Sequence, residues 1–225
     1  MTMNVEYQEQ HVDGWQAYWD MVVAPVPGWL NSWEGEALSA LARQQAPRGP
    51  VVEIGCYRGR STLCLGHGVQ SAFEGHLWSV DLFEDTYTFE DCPSPLPSED
   101  ALRQLLRSRS LEDTVTVVRG DSRADETAAA VPGDIALLFV DGDHVYDTLV
   151  AEWNIWGPKL SAGAVVAFHD YDNIVVGDGV SRFCDGVIRD QFDGITVCDR
   201  FKREPNAIPG GLFVAQQRSV SRPIK

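Results

Sequence analysis

The sequence predicts an α/β fold, in which helices cover both faces of a mainly parallel, doubly wound sheet. Three observations support this prediction. Short β-branched and apolar runs recur from residue 51 onward, stretches of helix-forming composition lie between them, and proline–glycine pairs close two of those stretches. The predicted parallel strands are 51–54, 77–80, 114–118, 136–140 and 164–168.

Helices and a last pair of strands complete the predicted order of elements. The predicted helices are 34–45, 61–70, 98–110, 122–130, 145–160 and 179–191. Two further apolar runs, 194–198 and 211–215, follow the last helix and are candidates for an antiparallel pair. Strands that alternate with helices in this way are typical of one large domain.

The first 48 residues differ in composition from the rest of the chain. They hold four of its seven tryptophans, Trp15, Trp19, Trp29 and Trp33. The segment is too short for a stable domain of its own. We therefore predict an N-terminal helical flap over 1–48 and one catalytic domain over 49–225. The flap either packs on the sheet or closes over a site as a lid, and the sequence leaves both open.

Composition and charge exclude several classes of protein. The chain is 44% hydrophobic, and its 33 acidic residues exceed its 18 basic residues by 15. Such an acidic surface repels phosphate backbones, so we expect no nucleic-acid partner. No apolar run reaches the roughly 20 residues of a membrane span, and the beginning of the sequence lacks the pattern of a secretion signal. Five scattered cysteines favour reduced thiols, and we expect a cytoplasmic protein without a membrane partner.

A glycine-rich turn follows the first strand. The sequence E-I-G-C-Y-R-G-R-S runs from Glu53 through Gly55 and Gly59 to Ser61. In doubly wound sheets ligands bind beyond the carboxyl ends of the strands, where a glycine turn lets the backbone approach a cofactor. The G-x-x-x-G spacing differs from the nicotinamide-dinucleotide and P-loop patterns. The alternative is a turn that serves only close strand–helix packing.

Acidic side chains follow the second and third strands. Asp81, at the end of the second strand, is placed to accept hydrogen bonds from both hydroxyls of a ribose. Together with the glycine turn it indicates a ligand that contains a nucleoside. Asp121 and Ser122 follow the third strand, where they either face an adenine edge or cap the next helix.

Two clusters of acids and histidines follow the fourth and fifth strands. If these strands are neighbours, the clusters meet at one edge of the sheet, where so many acids would repel one another without a cation. A hard divalent ion bound by carboxylates is the economical interpretation. The alternative has Asp143 capping the next helix and Asp170 bonded to a loop. The clustered residues are Asp141, Asp143, His144, His169, Asp170 and Asp172.

The chain resembles the class I S-adenosylmethionine-dependent methyltransferases, in the small-molecule group that includes macrocin-type and rhamnosyl O-methyltransferases and proteins labelled cephalosporin hydroxylase. The resemblance runs from about residue 27 to residue 191. The stretches that carry it are V-V-E-I-G-C-Y-R-G-R-S-T, L-W-S-V-D, V-D-G-D-H-V-Y-D and L-S-A-G-A-V-V-A-F-H-D-Y.

The resemblance implies a fold, a cofactor and a set of site residues. The fold is a Rossmann-like sheet of about seven strands with a reversed terminal strand. Position 169 commonly carries an acid in this group, so the histidine here leaves magnesium and softer metals such as manganese or iron open. The implied cofactor-binding residues are Glu53, Gly55, Gly59, Ser61, Asp81, Asp121, Ser122 and Asp141. The implied metal ligands are Asp141, His169 and Asp170, and the implied base is Asp143 or His144.

These expectations combine into one functional hypothesis. The chain is predicted to be an S-adenosylmethionine-dependent O-methyltransferase, assisted by a divalent cation, that methylates a hydroxyl of a small molecule such as a sugar or natural product. One alternative is a protein with this fold that binds the cofactor without methylating, in a role accessory to an oxygenase. A nicotinamide oxidoreductase is disfavoured by the glycine spacing. A homodimer is the default oligomeric state.

Overall fold

The computed structural model describes residues 14–84, 98–173, 175–198 and 211–217, and within them a seven-stranded sheet. The strands are short and rich in valine, isoleucine and leucine, as expected for a sheet buried on both faces. They are β1 (Val51–Ile54), β2 (Leu77–Asp81), β3 (Val115–Arg119), β4 (Ile135–Val140), β5 (Leu160–Phe168), β6 (Phe192–Cys198) and β7 (Leu212–Gln217).

The order of the strands is β3-β2-β1-β4-β5-β7-β6. The first five strands pair in parallel, whereas β7 runs antiparallel to both β5 and β6. This confirms the predicted doubly wound sheet with a reversed terminal strand. It also confirms the antiparallel pairing of the last two strands.

Helices cover both faces of the sheet, and the sheet separates two apolar core clusters. Among the described residues no helix is both long and apolar enough to cross a membrane. The helices are α1 (Trp15–Tyr18), α2 (Ser32–Gln45), α3 (Arg60–Ala72), α4 (Ser98–Ser108), α5 (Asp125–Ala129), α6 (Tyr146–Trp156) and α7 (Gly179–Phe183).

Some boundaries differ from those that the sequence predicts. The helix predicted over 145–160 ends at Trp156, because Gly157 and Pro158 form a short 3-10 turn and the chain then enters β5 at Leu160, earlier than predicted. The helix predicted over 179–191 is α-helical only over Gly179–Phe183, and the segment Cys184–Ile188 continues it as a π-helical turn.

Helix α2 packs closely on α3 through two glycines. A β-carbon at Gly68 would collide with the backbone carbonyl of Ser39, and one at Gly35 would lie 2.9 Å from the sulfur of Cys64. The two helices therefore approach each other at positions where no side chain fits. Residues 32–45, which lie within the predicted N-terminal flap, thus pack against the central layer.

Arg60, the first residue of α3, holds the segment that precedes α2. The three nitrogens of its guanidinium donate hydrogen bonds to the backbone carbonyls of Ala24, Val26, Gly28 and Leu30 at 2.7–3.2 Å. An arginine fork that satisfies four carbonyls fixes the path of the chain there.

Candidate active site

The carboxyl ends of β1, β4 and β5 meet at one edge of the sheet. Ile54 pairs with Val140, and Val140 pairs with Phe168, so the three strands end in register. The residues that follow each strand therefore come together, which is the arrangement that the sequence predicts for its glycine turn and its two acid–histidine clusters.

The glycine turn is held against β2 by Asp81. One oxygen of its carboxylate, Oδ2, accepts hydrogen bonds from the backbone amides of Cys56 and Tyr57, both at 2.8 Å. The other oxygen, Oδ1, accepts one from the amide of Phe83 at 2.8 Å. The carboxylate predicted to hold a ribose thus orders the turn and keeps one lone pair on Oδ1 for a further donor.

Two glycines of this turn adopt a backbone conformation that other residues disfavour. Gly55 has φ 83° and Gly59 has φ 94°. A β-carbon at Gly55 would collide with the backbone of Asp141, and one at Gly59 would lie 2.5 Å from Leu102. Both glycines therefore permit close packing, and Gly55 brings the turn against the end of β4.

Glu53 is buried beneath the turn and has no exposure to solvent. Its Oε2 accepts hydrogen bonds from the hydroxyls of Thr62 and Ser79, both at 2.7 Å. Burial raises the pKa of Glu53 to about 7, although hydrogen bonding from Ser61, Ser79 and Thr62 opposes the rise. Glu53 and Ser61 therefore lie together below the turn, and Ser61 is itself buried.

Asp121 and Ser122 lie at the end of β3 with partners of their own. The carboxylate of Asp121 forms an ion pair with Arg123 at 2.8 Å, which lowers the pKa of Asp121. The hydroxyl of Ser122 donates a hydrogen bond to the buried Glu152, and the indole of Trp156 donates one to the carbonyl of Ser122 at 2.8 Å. Burial raises the pKa of Glu152 to about 7.

The two predicted clusters come together as a compact group of carboxylates and imidazoles. His169 Nδ1 lies 3.0 Å from Asp141 Oδ1 and 3.4 Å from Asp170 Oδ2. His144 Nε2 lies 2.7 Å from Asp170 Oδ2 and 4.0 Å from Asp141 Oδ1. One ligand atom from each of Asp141, His144 and Asp170 lies within 4.8 Å of the other two, a spacing that fits a bound metal ion.

The carboxylates control the protonation of the two histidines. Burial by itself lowers the pKa of His169, but the charges of Asp141 and Glu34 raise it well above the ordinary value. The pKa of His144 is also raised, because its contact with Asp170 and the charge of Asp141 outweigh burial. Burial raises the pKa of Asp170, yet the two histidines lower it far below its usual range.

His169 and Asp143 lie in positions unlike those of the other cluster residues. The His169 side chain is 2% exposed and carboxylates face both of its ring nitrogens, whereas His144 lies with Asp141 and Asp170 in the group whose spacing fits a metal ion. Asp143 is exposed and accepts hydrogen bonds from the amide of Val145, the residue before α6, and from the hydroxyl of Thr148 within the helix. It stands apart from the triad.

Glu34 is a site residue that the sequence analysis missed. It lies in the first turn of α2, has no exposure to solvent, and places Oε2 3.4 Å from His169 Nε2. The spacing Asn31-x-x-Glu34 is a capping-box pattern and signals the start of a helix. Nothing in that pattern indicates that the carboxylate reaches the end of β5, because this contact depends on how α2 packs on the sheet.

Comparison with protein families gives a match over the central part of the chain. Residues 52–171 match a family model described as a methyltransferase domain. The matched range includes the glycine turn, Asp81 and all residues of the two acid–histidine clusters except Asp172. It covers more than half of the chain.

Solved structures with the same fold include several methyltransferases. The methyltransferase PaMTH1 of Podospora anserina, with SAH bound, is 18% identical, has a TM-score of 0.62, and covers 92% of this chain and 89% of its own. An O-methyltransferase of Bacillus cereus in complex with SAH is 17% identical, has a TM-score of 0.63, and covers 93% of this chain and 99% of its own. At these identities the likeness establishes the fold.

A curated relative matches part of the chain. The uncharacterized protein y4gI of Sinorhizobium fredii is 29% identical over 140 residues, which is 59% of this chain. The match covers 14% of the length of that protein. The relative is therefore a much longer protein that contains a segment similar to this chain.

Proposed function

The chain belongs to the methyltransferase-domain family, and on this premise we propose that it methylates a hydroxyl group of a small molecule with the assistance of a divalent cation. The family membership confirms the predicted class I S-adenosylmethionine-dependent methyltransferase. The observation that carries the proposal is the convergence of Asp141, His144 and Asp170 beside the glycine turn. A methyl donor seated on the turn and a hydroxyl held at the triad would be neighbours.

The turn between β1 and α3 fits a bound S-adenosylmethionine. Asp81 has an oxygen with one spare lone pair at the end of β2, where a ribose hydroxyl can donate to it. We propose Gly55 and Gly59 for the backbone approach and Asp121 and Ser122 for the adenine end, with Glu53 and Ser61 supporting the turn from below. Bound S-adenosylmethionine supplies a methyl group on a sulfonium, which is the electrophile of the transfer.

The triad fits a hard or borderline divalent cation. Asp141 and Asp170 offer carboxylate oxygens, the ligand type that magnesium and manganese prefer, and His144 adds an imidazole nitrogen that manganese or iron tolerates. We propose Asp141 and Asp170 as the ligands. A bound cation supplies Lewis acidity, which lowers the pKa of a substrate hydroxyl and orients it.

His144 is the residue that we propose as the proton acceptor. Its side chain is 27% exposed, so a substrate can reach it, whereas His169 is enclosed. The neutral form of the imidazole accepts the hydroxyl proton as the oxygen attacks the methyl carbon, a contribution of about 10²–10⁴-fold, and because the pKa of His144 is raised this form becomes more abundant as the pH rises. Alignment of the two reacting atoms can supply the larger share, roughly 7–11 kcal/mol.

The substrate class is proposed from the surroundings of the turn. Trp29 is about half exposed and its ring stacks on Tyr57, which belongs to the turn. An exposed indole beside the donor site favours a substrate with a flat or sugar-like face, such as a glycoside or an aromatic natural product. The net charge of −15 disfavours nucleic acid as the substrate.

The proposal extends to the setting of the reaction. Cys56, Cys64 and Cys184 are buried free thiols, which supports a reducing, cytoplasmic environment. A homodimer remains the default expectation for the assembly, and exposed apolar side chains such as Met21 offer contact area for it.

A methyl-transfer assay tests the proposed function. The full chain is incubated with S-adenosylmethionine and a panel of diols, catechols and glycosides, with added magnesium or manganese and with a chelator. We expect methylated product to form, the chelator to prevent its formation, and added metal to restore it. A chain that binds S-adenosylmethionine but methylates no member of the panel would instead support the accessory role.

Variants of the triad separate its roles. Asp141→Asn and Asp170→Asn should abolish manganese binding and turnover while S-adenosylmethionine still binds. His144→Gln should lose about 10²–10⁴-fold in kcat yet keep manganese binding. Loss of manganese binding in this variant would make His144 a ligand instead of the base. Asp113→Asn, an exposed acid beyond the opposite end of the sheet, is the matched control.

A further inference from the structure

Glu34 is a buried acid outside the strand ends, and its position calls for an explanation. It lies on α2, has no exposure to solvent, and its Oε1 has no hydrogen-bond partner among the described residues. Burying a carboxylate is costly unless it is paired. The contacts of Glu34 must therefore account for a charge at this place.

Helix capping explains the position of Glu34 but not its charge. Its Oε2 accepts hydrogen bonds from the backbone amide of Asn31 at 2.9 Å and from the side-chain amide of Asn31 at 2.8 Å. These bonds close the capping box at the start of α2. A glutamine serves equally well at this position of a capping box and would bury no charge. The carboxylate thus has a second partner that requires it.

That partner is His169. The imidazole stands between two carboxylates, with Glu34 Oε2 3.4 Å from Nε2 and Asp141 Oδ1 3.0 Å from Nδ1. The ring is also within 3.4 Å of Asp170 and is nearly inaccessible to solvent. Nδ1 forms a hydrogen bond with Asp141, whereas the contact of Nε2 with Glu34 is ionic, and together they restrain the ring. A fixed ring in turn fixes the orientation of the Asp141 carboxylate, one of the proposed cation ligands.

We propose that Glu34 is a positioning residue of the active site, which acts through His169 to hold Asp141 in the orientation that binds the cation. This inference rests on the proposed function. It makes α2 a component of the site although the helix contributes no residue to the triad. It also gives His169 a role that differs from the ligand role expected from the sequence.

The test uses Glu34→Gln in the full chain, because glutamine keeps the capping box and removes the charge. Manganese affinity is measured by calorimetry without cofactor or substrate, and kcat and the KM for S-adenosylmethionine are measured in the assay. We expect manganese to bind about 10-fold more weakly and kcat to fall by a similar factor, as when hydrogen-bonded partners of metal ligands are removed. The KM for S-adenosylmethionine and the melting temperature should stay close to those of the wild type.

A double-mutant cycle shows whether Glu34 acts through His169. In the His169→Asn background, Glu34→Gln should have no further effect on manganese affinity. Glu36→Gln, which removes the same charge from the same helix, is the control and should bind manganese like the wild type.

The outcomes separate this inference from the proposed function. Wild-type manganese affinity and kcat in Glu34→Gln would overturn the role of Glu34 and leave the proposed function intact. Additive effects in the cycle would likewise overturn the route through His169. A wild-type chain that binds no manganese would overturn the cation assignment itself, and the positioning role with it.

Discussion

Glu53 is a buried acid whose protonation is linked to the stability of the fold. It has no solvent access, and burial raises its pKa to about 7 from the ordinary 4.5. Between these two values the folded state binds more protons at this site than the unfolded state does. The contribution of Glu53 to stability is therefore fully present below about pH 4.5 and is lost as the pH rises through about 7.

The variant Glu53→Gln tests this linkage. Each pKa unit corresponds to about 1.4 kcal/mol, so the difference in the free energy of unfolding between pH 5 and pH 8 should shrink by on the order of 3 kcal/mol in the variant. Denaturant titrations at the two pH values measure it. The exposed acid Glu126, changed to glutamine, should leave the difference as it is in the wild type. An unchanged pH dependence in Glu53→Gln would contradict the shifted pKa.

His169 shows the limit of sequence reasoning at the residue scale. Its place after β5 beside Asp170 made it a candidate ligand, and the sequence correctly predicts that it lies near Asp141. The sequence does not show that Glu34 occupies the far side of the ring at 3.4 Å, because that contact comes from a helix 135 positions earlier in the chain (169 − 34). The positioning role that we propose for His169 therefore depends on a contact that no local sequence pattern contains.

At the level of elements, the close packing of α2 on α3 determines how near Glu34 lies to the end of β5. Gly68 faces the backbone carbonyl of Ser39, and a β-carbon placed on Gly68 would lie 2.8 Å from the methyl group of Ala42. The contact lets α2 come close enough for Glu34 to reach the end of β5. Helix spacing, set by a residue without a side chain, thus contributes to the geometry of the site.

The variant Gly68→Ala should separate the two helices. The added methyl collides with backbone that cannot rotate away, so we expect a loss of about 2 kcal/mol in the free energy of unfolding, in spite of the higher helix propensity of alanine. Gly186→Ala is the matched control, since a β-carbon there meets nothing within 4 Å. Thermal or denaturant unfolding measures both. Equal stability of Gly68→Ala and the wild type would show that the helices are free to shift.

At the level of elements, the sequence predicts strands better than helix ends. β1 has the predicted bounds, because Pro50 directly precedes the strand and Gly55 directly follows it. The helix predicted over 122–130 is shorter, since α5 begins only at Asp125 after the turn that holds Ser122 against Glu152. Such a turn depends on a tertiary partner, which no local pattern contains.

For the whole molecule, the position of the first 48 residues decides whether the chain has one unit or two. Residues 32–45 pack against α3 with buried Leu38 and Leu41, which belong to the same core as Val51 of the sheet. Removing them would expose that core to water. The sequence correctly predicts the layer architecture, but it leaves open whether this segment is packed or acts as a lid.

A truncated chain consisting of residues 49–225 tests this packing. We expect it to lack a cooperative thermal transition or to aggregate, because the α2-facing side of α3 would be an exposed apolar surface. Circular dichroism during heating, with the full chain as the reference, provides the measurement. A cooperative transition in the truncated chain would instead identify residues 1–48 as a separable flap.

On the proposed function, the bonds of Arg60 to the segment 24–30 bear on how acceptors are distinguished. The backbone on both sides of Trp29 is anchored to the helix that begins at the glycine turn, and the indole stacks on Tyr57 of that turn. Trp29 would then form a preformed wall of the acceptor site. Discrimination between acceptors would come from their complementarity to that wall. Binding would lose little conformational entropy, because the wall is ordered before the acceptor binds.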